Sequence, residues 1–498
     1  MYVIIKSDIS TITEMVGKMT DNRSSAVRIS DADIGKQYEY MHRVKDITVK
    51  KTAELGRALY ACVKTYGCQQ NEADSERLAG MASEMGYVLT DDDQNADLIL
   101  INTCAVREHA ELKALSITGQ FKHLKEKNKE LVIGICGCMV SQEHRCDDIK
   151  HRYPYVDFLF GTSMLYRMPE ILYKRLSGGK RGFYSDYGAG NIAEGLPVSR
   201  KAPYKAWVSV MYGCNNFCTY CIVPYVRGRE RSRLKEDILA EVRELAQNGC
   251  HEITLLGQNV NSYGLDLEEY RGKYDFASLL CDINDIEGDF IIRFMTSHPK
   301  DASKRLIDTL ATLEKAAPHF HLPLQSGSDR VLKRMNRRYT SQTYLELLAY
   351  MREKMPDICV TSDIITGFPG ETEEDFEETL RVIKQANYDM IYSFIYSKRK
   401  GTPAAEYDDQ VPADVTSSRF RRLLDTQNEI AKENNQLLVG KTFRVLCDGV
   451  SKSDPDMYTG RTPGAKLVHF PSDTDMTGEF VNIKITSAET FVLFGEKI

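Results

Sequence analysis

Residues 214–221 read CNNFCTYC and place Cys214, Cys218 and Cys221 in a CxxxCxxC arrangement. With 13 cysteines in 498 residues, chance would produce such a run in only about one chain in a hundred. Three thiolates can hold three irons of a cubic [4Fe-4S] cluster and leave the fourth iron open, where a small molecule can bind. Zinc is the competing metal, but a structural zinc site closes with a fourth nearby ligand, and the next cysteine, Cys250, lies too far along the chain. The run therefore predicts an iron–sulfur cluster with one open corner.

The residues around this run show a repeated strand–helix pattern over 203–433, which we expect to form one domain. Apolar strands are predicted at 207–212, 252–257, 290–296, 319–325, 359–366 and 390–396, with helices in the intervals. Repeated β/α units predict a parallel barrel, here a (β/α)6 barrel that is open on one side. The cysteine run follows the first strand, at the face where such barrels carry their chemistry.

A second α/β pattern over residues 58–175 precedes the barrel. Strands predicted at 60–66, 97–103 and 131–136 alternate with helical stretches near 70–86, 105–127 and 139–152, which favours a doubly wound parallel sheet. Each strand is followed by a cysteine: Cys68, Cys104 and Cys138. Since ligands gather at the carboxyl ends of parallel strands, we predict a second three-thiol cluster site there. Buried core cysteines are the alternative, and Cys136, which shares a strand face with Cys138, is the alternative ligand.

Three further segments complete the predicted organisation. Residues 1–57 are polar and are expected to form a loosely ordered extension. Residues 176–202, rich in glycine and proline, are expected to form a linker. Residues 434–498 carry short β-rich runs at 442–446, 466–470, 480–485 and 490–494, which predict a small OB-like barrel, a common platform for nucleic acid.

Composition indicates a cytoplasmic protein. The chain is 42% hydrophobic and 27% charged, and it contains no apolar run near the ~18 residues that a membrane span needs. Its first residues hold too short an apolar stretch for a signal peptide. Thirteen cysteines without such a signal favour a reducing compartment and metal or redox use.

The net charge of −6 does not itself predict a nucleic-acid binder, but basic residues cluster just after the cysteine run. The cluster consists of Arg227, Arg229, Arg231, Arg233 and Lys235. Such a stripe can bind a polyanion despite a negative total charge, and a solvated loop is the alternative interpretation.

Several other stretches occur in a fixed order along the chain. They are TYGCQQN at 65–71, NTCAVRE at 102–108, the block 212–233, TSHP at 296–299, LPLQSGS at 322–328, GFPGET at 367–372 and GTPAA at 401–405. Together with the two three-cysteine sets, they resemble the radical S-adenosylmethionine methylthiotransferases, most closely the MiaB type. The resemblance covers about residues 58–498. One departure is Gln70, where these enzymes often carry methionine.

The resemblance implies three parts. The first is an N-terminal methylthiotransferase domain holding an auxiliary [4Fe-4S] cluster through Cys68, Cys104 and Cys138. A radical SAM barrel would hold the catalytic [4Fe-4S] cluster through its CxxxCxxC cysteines. A C-terminal TRAM domain would help to bind tRNA.

The resemblance also implies a reaction. Carbon 2 of N(6)-dimethylallyladenosine, next to the anticodon of tRNA, would receive a methylthio group. Two S-adenosyl-L-methionine molecules would serve as methyl donor and as source of a 5′-deoxyadenosyl radical, and the auxiliary cluster would give the sulfur. The partners would be the anticodon stem-loop bearing isopentenylated adenosine and a low-potential electron donor such as a flavodoxin or ferredoxin. The alternatives are the same chemistry on threonylcarbamoyl-adenosine in tRNA or on a ribosomal protein aspartate, and a non-catalytic RNA-binding protein that carries clusters.

By the same resemblance, strand-end segments would line the S-adenosylmethionine pocket. The residues are Gly257, Gln258, Asn259, Gln325, Ser326, Gly367, Gly370 and Glu371. Glycine permits close approach of a ligand to the backbone, and ordinary turn geometry is the alternative for each of these segments. Arg227, Arg229, Arg231 and Arg233 would contact tRNA phosphates near the catalytic loop.

Overall fold

The computed structural model describes residues 27–184 and 190–498, and these form a multidomain α/β protein. A parallel α/β domain comes first, an open parallel barrel follows, and a small antiparallel barrel ends the chain. The predicted fold class is confirmed. No helix in the described ranges is both long enough and apolar enough to span a membrane.

The N-terminal domain is built on a six-stranded parallel sheet in the order β3-β2-β4-β5-β6-β7. Its strands, with a short pair formed by β1 and β8, are β1 (Val27–Arg28), β2 (Tyr60–Tyr66), β3 (Val88–Leu89), β4 (Leu98–Thr103), β5 (Val132–Gly137), β6 (Phe158–Phe160), β7 (Gly182–Tyr184) and β8 (Asn191–Ile192). Its helices are α1 (Asp31–Leu55), α2 (Gln69–Glu84), α3 (Glu108–Lys127), α4 (Glu143–Arg152) and α5 (Met168–Leu176), with 3₁₀ turns at Met139–Ser141 and Thr162–Arg167.

The central strand β4 explains why helices cover both faces of this sheet. Its residues are all buried. Leu98 and Leu100 point into one apolar cluster with α2, and Ile99 and Ile101 point into another with α3. A strand with apolar side chains on both faces must be covered on both sides, which produces the doubly wound arrangement.

Two predictions about the ends of this domain are wrong. Residues 31–55 do not form a loose extension, because they form the helix α1, capped by the Ser30 side chain and ended by Gly56 in the left-handed region. Its buried face falls at helical spacing, at Gln37, Met41, Val44 and Thr48. The predicted linker also contains ordered structure, since β7 forms an edge of the sheet and β8 pairs with β1. Residues 1–26 lie outside the described part.

The barrel contains the six predicted parallel strands in two groups of three, ordered β13-β12-β9 and β14-β15-β16. A single bridge between Ile292 and Ala316 joins the groups. The strands are β9 (Lys205–Ser209), β12 (Glu252–Leu256), β13 (Ile291–Phe294), β14 (His319–His321), β15 (Cys359–Thr366) and β16 (Met390–Ile395), and a small antiparallel pair is formed by β10 (Met211–Tyr212) and β11 (Arg231–Ser232).

The helices of this unit pack around the strands. They are α6 (Val223–Arg227), α7 (Lys235–Gln247), α8 (Phe276–Asn284), α9 (Lys304–Leu310), α10 (Asp329–Arg334), α11 (Ser341–Lys354), α12 (Glu373–Ala386) and α13 (Ala413–Gln436), with 3₁₀ turns at Val260–Ser262, Pro299–Asp301 and Pro403–Glu406. A continuous apolar core joins the strands to these helices.

The C-terminal unit is a closed five-stranded barrel in the order β17-β18-β19-β21-β20. Its strands are β17 (Thr442–Val450), β18 (Met457–Arg461), β19 (Leu467–Pro471), β20 (Phe480–Ala488) and β21 (Leu493–Lys497). It docks at the amino-terminal ends of the central barrel strands: Tyr204 donates a hydrogen bond to the carbonyl of Asp448, and Lys466 pairs with Asp389. This face lies opposite the one that carries residues 214–221.

Candidate active site at the domain interface

The CxxxCxxC loop is held by backbone contacts on both sides. Gly213 starts the loop with φ +76°, and a Cβ there would lie 2.0 Å from the carbonyl oxygen of Arg229, so only glycine fits. The amide of Cys214 donates to the carbonyl of Gly228 at 3.2 Å. The side chain of Asn336 donates to the carbonyls of Asn216 and Phe217 at 3.1 and 3.0 Å. The loop is therefore fixed before any metal is bound.

The three cysteines of this loop are close enough to affect one another electrostatically, and an N–H group donates a hydrogen bond to one of their sulfurs. Burial raises the pKa of Cys214 to about 12. Burial also raises the pKa of Cys221, and the charges of Cys218 and Cys214 raise it further. Arg337 donates to the sulfur of Cys218 at 3.5 Å. Buried thiols of this kind lose their protons when a metal binds them, and N–H groups stabilise the resulting thiolates.

The second set of thiols meets at the carboxyl edge of the N-terminal sheet, as predicted. Cys68 caps α2, Cys104 follows β4, and Cys138 follows β5. A hydrogen bond from the Cys104 thiol lowers the pKa of Cys68 to about 6, and the charge of Arg227 adds to the effect. The same hydrogen bond, together with burial, raises the pKa of Cys104. Burial raises the pKa of Cys138, and Arg227 opposes it.

Cys136 does not belong to this set. It lies 1% exposed in the apolar cluster on one face of the sheet, among Leu98, Val132 and Phe158. Burial raises the pKa of its thiol well above the ordinary value. Its surroundings are those of a core cysteine.

The two thiol sets face the same interface. Ile222 and Val226, in the segment just after Cys221, pack in one buried apolar cluster with Ala105 and Cys138. Polar contacts cross the interface beside them: Gln70 donates to the hydroxyl of Ser209 at 2.9 Å. The sheet edge of one domain therefore meets the functional face of the other.

The donor chemistry at both sets fits iron–sulfur clusters. Each set offers three cysteine sulfurs, and thiolates are the preferred ligands of such clusters. Among residues 27–184 and 190–498, no three His, Cys, Asp or Glu side chains converge on a position for a single metal ion. Cysteines of a cubane bind different corner irons, so their sulfurs need not converge in that way.

Sequence comparisons divide the chain in the same way as the structure. The Radical SAM superfamily matches residues 208–383, and the TRAM domain matches residues 436–498. A family described as uncharacterized protein family UPF0004 matches residues 60–161, the region of Cys68, Cys104 and Cys138.

Curated relatives match nearly the whole chain. A protein of Acetivibrio thermocellus is 48% identical over 480 residues, which cover 96% of this chain and 99% of the relative. A protein of Clostridium tetani is 50% identical over 436 residues, covering 88% and 96%. Both are named tRNA-2-methylthio-N(6)-dimethylallyladenosine synthase. The chain belongs to this synthase family.

A solved structure supports the fold of the synthase. The radical S-adenosylmethionine methyltransferase TsrM of Kitasatospora setae, with cobalamin and a [4Fe-4S] cluster bound, aligns with a TM-score of 0.51 at 12% identity. The alignment covers 70% of this chain and 77% of that one.

The strand-end residues of the synthase divide into two groups. Ser326, Gly370 and Glu371 build turns: Ser326 contacts the hydroxyl of Thr379 at 3.3 Å, and Glu371 accepts hydrogen bonds from Arg419 and from the amide of Gly367, both at 3.0 Å. Gly370 donates to the carbonyl of Asp409. These contacts favour the turn interpretation for this group, and cofactor contact there remains a prediction.

The second group lies closer to the catalytic loop. Gln258 accepts a hydrogen bond from the amide of Gly213. Gln325 lies in the left-handed region with φ +74° and bridges to Ile364. A Cβ at Gly257 would lie 2.6 Å from the Met211 side chain, and Gly367 has φ +76°, so both glycines are required by the backbone or by packing.

Several polar side chains at this face of the barrel have a buried atom without a hydrogen-bond partner in the described residues. Among these atoms are Asn259 Oδ1, Ser297 Oγ, His298 Nε2 and Thr366 Oγ1. Buried polar atoms are normally paired, so this set fits a polar ligand such as S-adenosylmethionine. Burial, helped by the charges of Arg337 and Lys300, lowers the pKa of His298 to about 2. The amide of Lys300 donates to Nδ1, so Nε2 carries the proton of the neutral ring.

The prediction that four arginines bind tRNA fails for three of them. Arg227, Arg231 and Arg233 are only 7%, 8% and 3% exposed. Arg227 pairs with Asp74, and Arg233 pairs with Glu194 and Glu241. A guanidinium that is buried against protein groups is not available to a phosphate. Arg229 is exposed and lies over the ring of Phe217, so phosphate contact there remains a prediction.

Sequence reasoning missed several residues of the site. Asn336 and Arg337 contact the CxxxCxxC loop from a distant part of the chain, and Asp74 pairs with Arg227, which donates to Cys138. No local pattern indicates these contacts. His298 was recognised only as part of a motif. Its position in the loop that follows the barrel strand β13 was the signal that could have identified it.

Proposed function

We propose that this chain transfers a methylthio group to carbon 2 of N(6)-dimethylallyladenosine next to the anticodon of tRNA. One observation carries the proposal: two three-cysteine sets, one from each domain, border a single interface in a chain of this synthase family. Cys214, Cys218 and Cys221 would hold the catalytic [4Fe-4S] cluster, and Cys68, Cys104 and Cys138 the auxiliary one.

The chemistry requires cofactors because no protein acid–base pair removes an aromatic C–H hydrogen as a proton at neutral pH. When bound, the two clusters and two S-adenosylmethionine molecules supply a 5′-deoxyadenosyl radical and the methylthio group. An electron must come from outside the chain, from a low-potential donor such as a flavodoxin or ferredoxin.

The residues of this chain bind and orient the reactants. Asn259, Ser297, His298 and Thr366 present unpaired buried atoms, which suits them to hold the polar groups of S-adenosylmethionine. His298 acts there as a hydrogen-bond donor through Nε2, since its ring stays neutral.

Apolar side chains between the thiol sets exclude water. Ala105, Ile222 and Val226 are at most 5% exposed. A dry interface protects a reactive radical and strengthens local hydrogen bonds. The N–H groups of Arg227 and Arg337 point at cysteine sulfurs from outside this patch and stabilise their negative charge.

Binding of tRNA would use Arg229 beside the catalytic loop and the C-terminal TRAM barrel at the opposite end of the central barrel. The target base must leave its stack to reach the interface, at a cost of a few kcal/mol. The reaction would take place in the cytoplasm, where tRNA is modified.

Mass spectrometry of tRNA nucleosides tests the substrate. A strain that lacks this protein should lose the 2-methylthio derivative of isopentenylated adenosine and regain it on complementation. Loss of a methylthio derivative of threonylcarbamoyl-adenosine, or of a ribosomal aspartate modification, would assign the same chemistry to another substrate. Reduced, cluster-loaded protein should also form 5′-deoxyadenosine from S-adenosylmethionine, which a non-catalytic RNA binder would not.

A further inference from the structure

A cavity of about 50 Å³ lies between the N-terminal domain and the barrel, behind the auxiliary thiols. Its wall includes α2, the turn after Cys138, and the β10–β11 pair. The polar lining includes Asp74, Arg77, Ser141, Tyr212, Arg227 and Arg231. This volume holds a few waters or one small ion, whereas pockets for nucleoside-sized ligands measure roughly 300 Å³ or more.

Arg231 contributes a buried cation to this wall, with no ion pair among the described residues. The residue is 8% exposed, and its Nε has no hydrogen-bond partner among the described residues. Its Nη1 donates to the carbonyls of Arg227 and Arg229 at 2.9 and 2.7 Å, and the guanidinium lies near the Tyr212 ring. Burial, together with the charge of Arg227, lowers the pKa of Arg231 to about 10, and the charges of Tyr212 and Asp266 oppose this effect only in part.

The described carboxylate of the wall is paired with a residue other than Arg231. Asp74 is the one carboxylate in the described lining, and it is paired with Arg227 at 2.8 Å. Arg77 adds a second cation, which donates to the hydroxyl of Tyr212 at 2.7 Å. Proteins rarely bury a charge without a partner, so a cavity bordered by such a group is suited to a ligand of opposite charge.

We propose that this cavity binds a small inorganic anion through the guanidinium groups of Arg231 and Arg77. Two sources share this chemistry: hydrosulfide, and a tetrahedral oxyanion such as phosphate or sulfate. Hydrosulfide would suit the position, because the cavity wall includes Ser141, three residues after Cys138, and the proposed reaction consumes sulfur there. That choice of anion rests on the proposed function, whereas the existence of the site does not.

Isothermal titration of the full-length, cluster-loaded protein under anaerobic conditions tests the site. Sodium phosphate, sulfate and hydrosulfide would be titrated at matched ionic strength into the wild type, Arg231→Gln and Arg229→Gln. Arg229 is the matched control, since it lies two residues away, carries the same charge and is exposed. At least one anion should bind the wild type and Arg229→Gln with equal affinity, and Arg231→Gln at least tenfold more weakly. Equal affinity for Arg231→Gln, or no binding by the wild type, would overturn the proposal.

The three titrations also distinguish the sources. Hydrosulfide binding that Arg231→Gln weakens, with no binding of phosphate or sulfate, identifies a sulfur-supply site, because hydrosulfide held only by an open cluster iron would not respond to this change. Equal binding of phosphate and sulfate identifies an oxyanion site. If Arg231→Gln does not fold, wild-type crystals soaked in bromide provide a second test. An anomalous peak within hydrogen-bond distance of Arg231 Nε would support the site, and the absence of a peak there would refute it. A wild-type protein that methylthiolates tRNA but binds none of the three anions would refute this site and leave the proposed function intact. Anion binding by a wild-type protein that produces no methylthio nucleoside would support this site and refute the proposed function.

Discussion

Arg227 joins the two domains at the auxiliary thiols, and its replacement by glutamine tests whether that contact holds the site together. Its Nε donates to the sulfur of Cys138 at 3.2 Å, and its Nη2 pairs with Asp74 at 2.8 Å. The side chains of Arg227 and Asp74 are 6% and 7% exposed. Arg227→Gln therefore leaves a buried carboxylate without its partner charge.

The expected loss of stability in Arg227→Gln follows from the burial of this ion pair. Removing one member of a buried ion pair typically costs about 3–5 kcal/mol, because the remaining charge stays desolvated. The amide of Gln70, 3.3 Å from Asp74, compensates only weakly. Changing both members, as Arg227→Gln with Asp74→Asn, removes the stranded charge and should cost less than the single change.

Hydrogen exchange in increasing denaturant is the appropriate assay, since a multidomain chain does not unfold in one step. Peptides from α2 and α6 should lose protection in Arg227→Gln and recover much of it in the double variant. Arg229→Gln, at an exposed site, should change the free energy of opening by less than about 0.5 kcal/mol. Equal effects of Arg227→Gln and Arg229→Gln, or a double variant as unstable as Arg227→Gln, would refute the reasoning.

Burial raises the pKa of Glu76 to about 7 from the ordinary 4.5, so the folded chain keeps a proton there that the unfolded chain loses first. The free energy of opening of α2, measured by hydrogen exchange in increasing denaturant, should fall by up to about 3 kcal/mol between pH 5 and pH 8. Glu76→Gln should remove this fall, and Glu72→Gln should keep it. Gly213→Ala should lower the iron content from about eight atoms per chain towards four, because the new Cβ would clash with the carbonyl of Arg229. The control Gly119→Ala adds a Cβ in open space on a helix, so it should retain the iron and raise the free energy of unfolding by about 1 kcal/mol. Cys68→Ala should abolish methylthio transfer but retain 5′-deoxyadenosine formation, and transfer that survived would remove the auxiliary cluster from the mechanism.

The parallel strands could be predicted from the sequence because most are short runs rich in aliphatic residues that alternate with helical stretches. The strand β4 was expected at 97–103 and occupies Leu98–Thr103. Once the strands are placed, the meeting of Cys68, Cys104 and Cys138 follows, since parallel strands bring their carboxyl ends to one edge. The helix α1 was missed because its buried face includes Gln37 and Thr48, which break the apolar pattern.

The roles of the arginines could not be predicted, because their partners are distant in sequence. Arg233 pairs with Glu194, which is 39 residues earlier, and Arg227 with Asp74, which is 153 residues earlier. A run of arginines looks the same in sequence whether it faces solvent or is buried against such partners. Only the packing of α2 against the barrel distinguishes the two cases.

The segment α6 explains how two domains form one site. It follows Cys221 by two residues and ends at Arg227, so the loop that would hold the catalytic cluster continues directly into the contact with Cys138. Its apolar residue Val226 packs against the auxiliary set, and its cationic end pairs with Asp74 on α2. A movement of the N-terminal domain would therefore pull on the catalytic loop itself. This short helix thus helps to set the spacing between the two cysteine sets. Lengthening it by one residue should lower the yield of methylthio nucleoside while 5′-deoxyadenosine formation continues, as mass spectrometry of both products would show.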